Sequence, residues 1–159
     1  MEEASELTLA LPSLRELSRV GARLGAALAI GALIGYQRER VGKAAGLRTH
    51  MLVAMGTALF VIAAIEYGMG EDSLSRIIQG LATGIGFLGA GAIMKIEANQ
   101  EIRGLTTASG IWMTAAASVA IGLGLIGVGL LAGILAWAVL AVFHRFQPKA
   151  INGPAHGNG

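Results

Sequence analysis

Residues 80–94 read GLATGIGFLGAGAIM, and after a short polar break residues 103–117 read RGLTTASGIWMTAAA. In water a helix this rich in glycine would be costly, because each interior Gly is about 0.8–1 kcal/mol worse than Ala. In a bilayer the backbone must satisfy its own hydrogen bonds, and glycine lets neighbouring helices approach closely. The stretch therefore predicts a membrane protein with close helix contacts. The glycines Gly80, Gly84, Gly86, Gly89 and Gly91 form small-xxx-small faces suited to helix packing, the simpler reading beside that of lining an ion path.

Composition agrees. Of 159 residues, 54% are hydrophobic and 14% charged, with mean hydropathy +0.65. An ordinary soluble domain is roughly a quarter charged, so one polytopic domain is expected. There is no cysteine, which excludes a disulfide framework, a thiol nucleophile and cysteine metal sites. The first residues hold Glu2, Glu3 and Glu6 rather than the basic region of a signal peptide.

Working outward, Ser13-Leu14-Arg15-Glu16 fits a capping box and opens a first helix over 13–36. At 1.5 Å per residue it measures about 36 Å, enough for a hydrocarbon core of about 30 Å. A second span is expected over 50–67 and a third over 74–94, after Asp72 and Ser73 as candidate caps. Residues 105–146 carry no Asp, Glu, Lys or Arg before Arg145. A single helix there would be about 63 Å long, so the chain must turn, at Gly122, Gly124, Gly127 and Gly129. Fold and domains follow: an all-α membrane protein of five transmembrane helices, with an extracytoplasmic segment 1–12, a membrane domain 13–146 and a disordered cytoplasmic tail 147–159.

Alternation puts Arg38, Arg40, Lys43, Arg48, Lys95, Arg103, Arg145 and Lys149 on one side, and Arg15, Arg19, Arg23 and Arg76 with Glu66, Glu71 and Asp72 on the other. The basic side is then cytoplasmic, with the N-terminus out and the C-terminus in. Offset by 58 positions, Gly31-Ala32 meets Gly89-Ala90, Glu39 meets Glu97, and Gly46-Leu47-Arg48-Thr49 meets Gly104-Leu105-Thr106-Thr107. This points to a parallel internal repeat, spans 1–2 and 3–4, about an axis along the membrane normal.

Four groups of residues could carry chemistry. Arg23, a third of the way into span one, is expected either to form a buried ion pair with Glu66, to bind an anion, or to snorkel to the headgroups. Arg48 and Thr49, with Arg103, Thr106 and Thr107, flank two helix N-termini that would suit a lipid or nucleotide phosphate or an acidic partner segment; plain capping and topology are the simpler reading. Glu39 and Glu97 are candidate Mg²⁺ ligands, although Glu39 could merely neutralise Arg38 and Arg40. Gln79 and Thr83 suit interhelical hydrogen bonds better than a transport site. No span has a carboxylate near its middle, which speaks against proton coupling. Walker A, HExxH and GxSxG motifs are absent, so no catalytic residues are assigned and no enzyme is expected. His50, His144 and His156 form no metal set by spacing.

Three ordered stretches, GALIGYQRERVGKAAGLRTHMLVAMGTALF, SRIIQGLATGIGFLGAGAIMK and IRGLTTASGIWMTAAASVAIGLG, resemble the MgtC/SapB family of bacterial inner-membrane proteins. The matching motif residues are Glu39, Arg40, Gly46, Arg48, Thr49, Gly86, Gly89, Gly91, Arg103, Gly104, Thr106 and Thr107. The resemblance implies a five-span inner-membrane protein linked to Mg²⁺ homeostasis and to adaptation to low Mg²⁺. Two modes are implied: a regulator that binds a membrane partner, as one branch restrains ATP synthase, or a small Mg²⁺ transporter or channel. No cofactor is expected, with Mg²⁺ as ligand or substrate. Expected partners are the lipid bilayer, a second copy in a homodimer and a membrane protein, not nucleic acid. Longer members carry a soluble C-terminal domain, on which some of the family's functions depend.

Overall fold

The computed structural model describes residues 12–96 and 101–142. The 1–12 segment apart from its last residue, Glu97, and everything from residue 143 onward, including the tail, lie outside them. Five helices run in order: α1 (Leu14–Arg40), α2 (Leu47–Glu66), α3 (Glu71–Gly91), α4 (Leu105–Gly122) and α5 (Ile126–Val142). Between α3 and α4 the polar break forms a small antiparallel hairpin, β1 (Met94–Ile96) on β2 (Glu101–Arg103). Three of the helices, α1, α2 and α4, are long and apolar enough to cross a membrane, while α5 is a shorter apolar helix of 17 residues. This is a multi-pass membrane protein.

The chain starts α1 with the expected capping box. The Ser13 hydroxyl accepts from the Glu16 amide at 3.3 Å, and Glu16 Oε2 accepts from the Ser13 amide at 2.8 Å. The helix continues past residue 36 to Arg40, where Gly42, at φ 67°, lets the Lys43 amide fold back onto the Arg38 carbonyl at 3.0 Å. The same device ends α4: Gly124 takes φ 90° and the Leu125 amide reaches the Ala120 carbonyl at 2.9 Å. At α3, Gly70 is the N-cap, with Glu71 and Asp72 in the first turn where carboxylates favour the helix dipole.

The main core lies where α1, α2, α4 and α5 meet. Ala27, Ile30, Ile34, Ala54, Ala58, Ile62, Ala117, Ile121 and Ala136 fill it. Small residues set the spacing. A Cβ on Gly31 would stand 2.6 Å from the His50 carbonyl oxygen, one on Gly122 2.8 Å from Val61 Cβ, and one on Gly133 2.6 Å from Ile30 Cδ1. At Gly31 and Gly122 the neighbour includes backbone, so nothing larger than glycine fits without moving a helix, whereas at Gly133 the Ile30 side chain would have to give way.

The glycines singled out in α3 behave differently. Gly80, Gly84, Gly86 and Gly91 have open space where a side chain would project, and Gly89 alone is in ordinary contact, 3.6 Å from Ala108 Cβ. Within this chain, then, the close packing falls to Gly31, Gly35, Gly122, Gly129 and Gly133. The physical reason is position: α3 flanks the four-helix core and buries only Ile85 and Gly89. Ile85 joins Ala45, Ile111 and Ala115 in a second, smaller cluster.

Candidate functional site: a buried polar cluster at the basic end

The end of the bundle that holds the α1–α2 and α3–α4 connections carries a polar group inside the protein. On α1 the stripe Ala27, Ile30, Gly31, Ile34, Gly35 and Arg38 faces inward, following the 3.6-residue period. Its last member puts a guanidinium on the core side. Arg38 is 1% exposed, and His50 on α2 is fully buried. Gly35 makes this possible, because a Cβ there would lie 3.0 Å from His50 Cβ and 2.8 Å from Leu47 Cα.

Hydrogen bonding orients the imidazole. The Thr114 hydroxyl donates to the Gly110 carbonyl at 2.9 Å. Having spent its only hydrogen, that oxygen accepts from His50 Nδ1 across 2.8 Å. The other ring nitrogen, His50 Nε2, is an acceptor when the ring is neutral. It is buried without a hydrogen-bond partner, as are Arg38 Nε, one Arg38 terminal nitrogen and Gln37 Oε1. The other end of the Gln37 amide donates to the Leu140 carbonyl at 3.1 Å, tying α1 to α5. Four helices thus converge on a cationic cluster whose donors and acceptors are only partly used. Buried polar atoms are paired in the great majority of cases, so this concentration marks the molecule's most unusual point.

The sequence-predicted residues are distributed around it. Glu39, beside Arg38, turns its carboxylate onto α2, where Oε2 accepts from the Leu47 amide at 2.7 Å. A Cβ on Gly46 would meet that same oxygen at 2.7 Å. The N-terminus of α2 is consequently held by the chain's own carboxylate. Arg48 and Thr49 lie exposed in that first turn. Arg103 ends β2, Thr106 is exposed at the start of α4, and Thr107 turns into the core at 4% exposure. Glu97, the second candidate metal ligand, lies outside the described residues. Among the described residues no three His, Cys, Asp or Glu side chains come together in a metal-holding group.

The expected Arg23–Glu66 ion pair is not formed. Glu66 meets Arg19 at 3.6 Å, one helical turn earlier on α1, and Arg23 instead donates to the Gly122 carbonyl at 3.3 Å. The reason is the end of α4: its last carbonyls lack helical N–H donors, and Arg23 supplies a donor there while Arg19 sits level with the end of α2. Arg38, His50, Gln37 and Thr114 were not singled out as a group by sequence. The available signal was the small-residue stripe on α1, which carries Arg38 on its inward side.

A model of the MgtC family matches residues 24–149. The chain is 44% identical over 137 residues to Protein SrpB of Synechococcus elongatus, covering 79% of this chain and 75% of that protein. It is 44% identical over 139 residues to the putative magnesium transporter YhiD of Escherichia coli strain K12, covering 82% of this chain and 63% of YhiD. With Protein MgtC of Brucella abortus it shares 41% identity over 128 residues, 80% of this chain and 52% of that protein. The chain thus spans little more than half the length of the longer relatives. No solved structure matches. With a family model covering most of its length and relatives at this identity, the chain belongs to the MgtC family.

Proposed function

We propose that this protein serves Mg²⁺ homeostasis and adaptation to low Mg²⁺ from the bacterial inner membrane, as a regulator that binds a membrane partner. The reading draws its Mg²⁺ link from family membership and from one relative, YhiD of Escherichia coli strain K12, named as a putative magnesium transporter. Its mode rests on one observation: among the described residues, the charged side chain buried in the helical core is Arg38. At an effective dielectric of about 20, two unit charges 4 Å apart interact by about 4 kcal/mol, so a divalent cation passing Arg38 would meet about twice that repulsion. Arg23 stands at the other end of the same helices, and Glu39 and Glu66 are engaged by the Leu47 amide and Arg19. An interior with this charge suits anchoring better than Mg²⁺ conduction.

In this reading the basic end is cytoplasmic, the N-terminus lies outside, and all five helices span. Gly31 lies against His50 in one helix pair and Gly89 against Ala108 in the other, contacts at matching positions that favour the parallel-repeat reading. The looser second pair leaves the glycine face of α3 to a second copy or to a membrane protein such as ATP synthase. The transporter reading has one observation of its own, the name of YhiD.

Partner capture tests the proposal. Tagged full-length protein, cross-linked in cells grown at low Mg²⁺, should recover a defined membrane protein, and Gly84→Leu, which adds bulk only to the open face of α3, should lose it. Recovery that is unaffected by Gly84→Leu and by low Mg²⁺ would count against a regulator working through this face.

A further inference from the structure

Two turns of this chain are built alike and differ in one respect. After α1, Gly42 takes φ 67° and the Lys43 amide meets the Arg38 carbonyl at 3.0 Å. After α4, Gly124 takes φ 90° and the Leu125 amide meets the Ala120 carbonyl at 2.9 Å. Each turn has an arginine of α1 beside it. At the α4 turn it is Arg23, half-buried and donating to the Gly122 carbonyl at 3.3 Å. At the α1 turn it is Arg38, which is 1% exposed and has Nε and Nη2 buried without an acceptor among the described residues. Those two nitrogens share one edge of the guanidinium, the kind of edge that takes a carboxylate through two parallel hydrogen bonds.

That edge is shut inside although the helix end is close by. Arg38 is the last member of an inward stripe that is otherwise Ala, Ile and Gly, and an arginine stem is long enough to carry its head to the surface from there. Arg40, two residues on, is exposed and lies over the Tyr36 ring. The ties that hold the last turn inward are few. Gln37 donates to the Leu140 carbonyl of α5 at 3.1 Å, and Glu39 accepts from the Leu47 amide of α2 at 2.7 Å. Glu39 is itself exposed, so water competes for its carboxylate. The space around Gly42 is open, which leaves the connection free to follow a moving turn.

We infer that the last turn of α1, residues 37–40, is a two-position latch. In the closed position Arg38 lies inside and Glu39 holds Leu47, as in this structure; in the open position the turn is released from α2 and α5 and the guanidinium reaches the basic surface. Closure keeps the hydrogen bonds of Gln37, Glu39 and Lys43 and strands a charge. Opening hydrates the charge and gives those bonds up. The opposition of the two terms brings both positions within thermal reach, a conflict that the Arg23 turn does not have. Opening also adds Arg38 to exposed Arg40 and Arg48, and so changes the charge that this end of the protein presents. The latch is independent of whether the protein regulates or transports.

Hydrogen exchange and phenylglyoxal modification of arginine, both on the full chain in lipid vesicles and mapped by mass spectrometry, test the latch. Corrected for intrinsic rates, the Lys43 amide should exchange faster than the Leu125 amide, because opening breaks its bond to the Arg38 carbonyl. Arg38→Met removes the stranded charge and should slow Lys43 exchange about thirtyfold, the factor equivalent to about 2 kcal/mol, with Leu125 unchanged. In the unaltered chain phenylglyoxal should modify Arg38, more slowly than Arg40, and Glu39→Ala should speed that reaction; circular dichroism checks the helicity of both variants. Arg38 left unmodified while Arg40 reacts to completion would overturn the proposal. So would Lys43 exchange no faster than that of Leu125, or unaffected by Arg38→Met, since the buried charge would then drive no opening.

Discussion

Replacing Arg38 with Met should make this protein more stable. The guanidinium is 1% exposed, and its Nε and one terminal nitrogen have no hydrogen-bond partner. Each buried unsatisfied donor costs about 1–3 kcal/mol, more when charged. Apolar replacement of buried ionic groups is often neutral or stabilising, by about 1–4 kcal/mol. Met fills similar length with a flexible apolar chain, so a gain of about 2 kcal/mol is a reasonable centre, equivalent to roughly 4–8 °C in melting temperature for a chain of this size. The assay is thermal unfolding in detergent followed by Trp fluorescence, with Arg40→Met as the control. Arg40 is exposed and lies over the Tyr36 ring at 5.1 Å, a contact worth about 0.5–1 kcal/mol, so that variant should lose slightly. Arg40, Lys43 and Arg48 remain to set membrane orientation in Arg38→Met. A fall of about 3–5 kcal/mol, the cost of breaking a satisfied buried pair, would show that Arg38 has a strong partner and would refute the reasoning. If stability rises while low-Mg²⁺ function falls, Arg38 is kept for what it does rather than for folding.

Three further outcomes follow from the same contacts. Gly31→Ala should destabilise by about 1–3 kcal/mol through overpacking on His50 and Ala54, while Gly84→Ala should be neutral or gain up to about 1 kcal/mol of helix propensity; paired thermal melts decide. Thr114→Val should cost about 1–3 kcal/mol because it strands His50 Nδ1, and Thr114→Ser should restore most of it. Glu39→Ala should cost about 0.5–2 kcal/mol, the range of a lost helix cap, and amide exchange at Leu47 should rise before exchange elsewhere in α2.

Much of the fold was legible because local signals carried it. Ser13 and Glu16 are three residues apart and cap reciprocally whatever surrounds them, and Gly124 breaks the long apolar run because the turn needs a left-handed residue. What resisted reading was tertiary. Glycine density in α3 announced close packing, yet the glycines that pack are those whose spacing aligns with a neighbour, as Gly31 and Gly35 do with α2. The hairpin at Met94–Arg103 sits in a polar break too short to show a strand period. Arg38 looked like one more positive charge at a helix end, since charge counting treats every Arg there as solvated. His50 looked isolated because its partner Thr114 lies 64 residues away in sequence. The Arg19–Glu66 pairing depended on helix stagger, a shift of a single turn that spacing along one chain cannot fix.

The claim that this protein binds rather than conducts is tested most directly by Mg²⁺ uptake into proteoliposomes loaded with a Mg²⁺-sensitive dye, at both orientations and under an imposed gradient. The account predicts traces that match protein-free vesicles, unchanged in Arg38→Met and Glu39→Gln. Protein-dependent Mg²⁺ flux that Glu39→Gln abolishes would contradict it and establish a transporter.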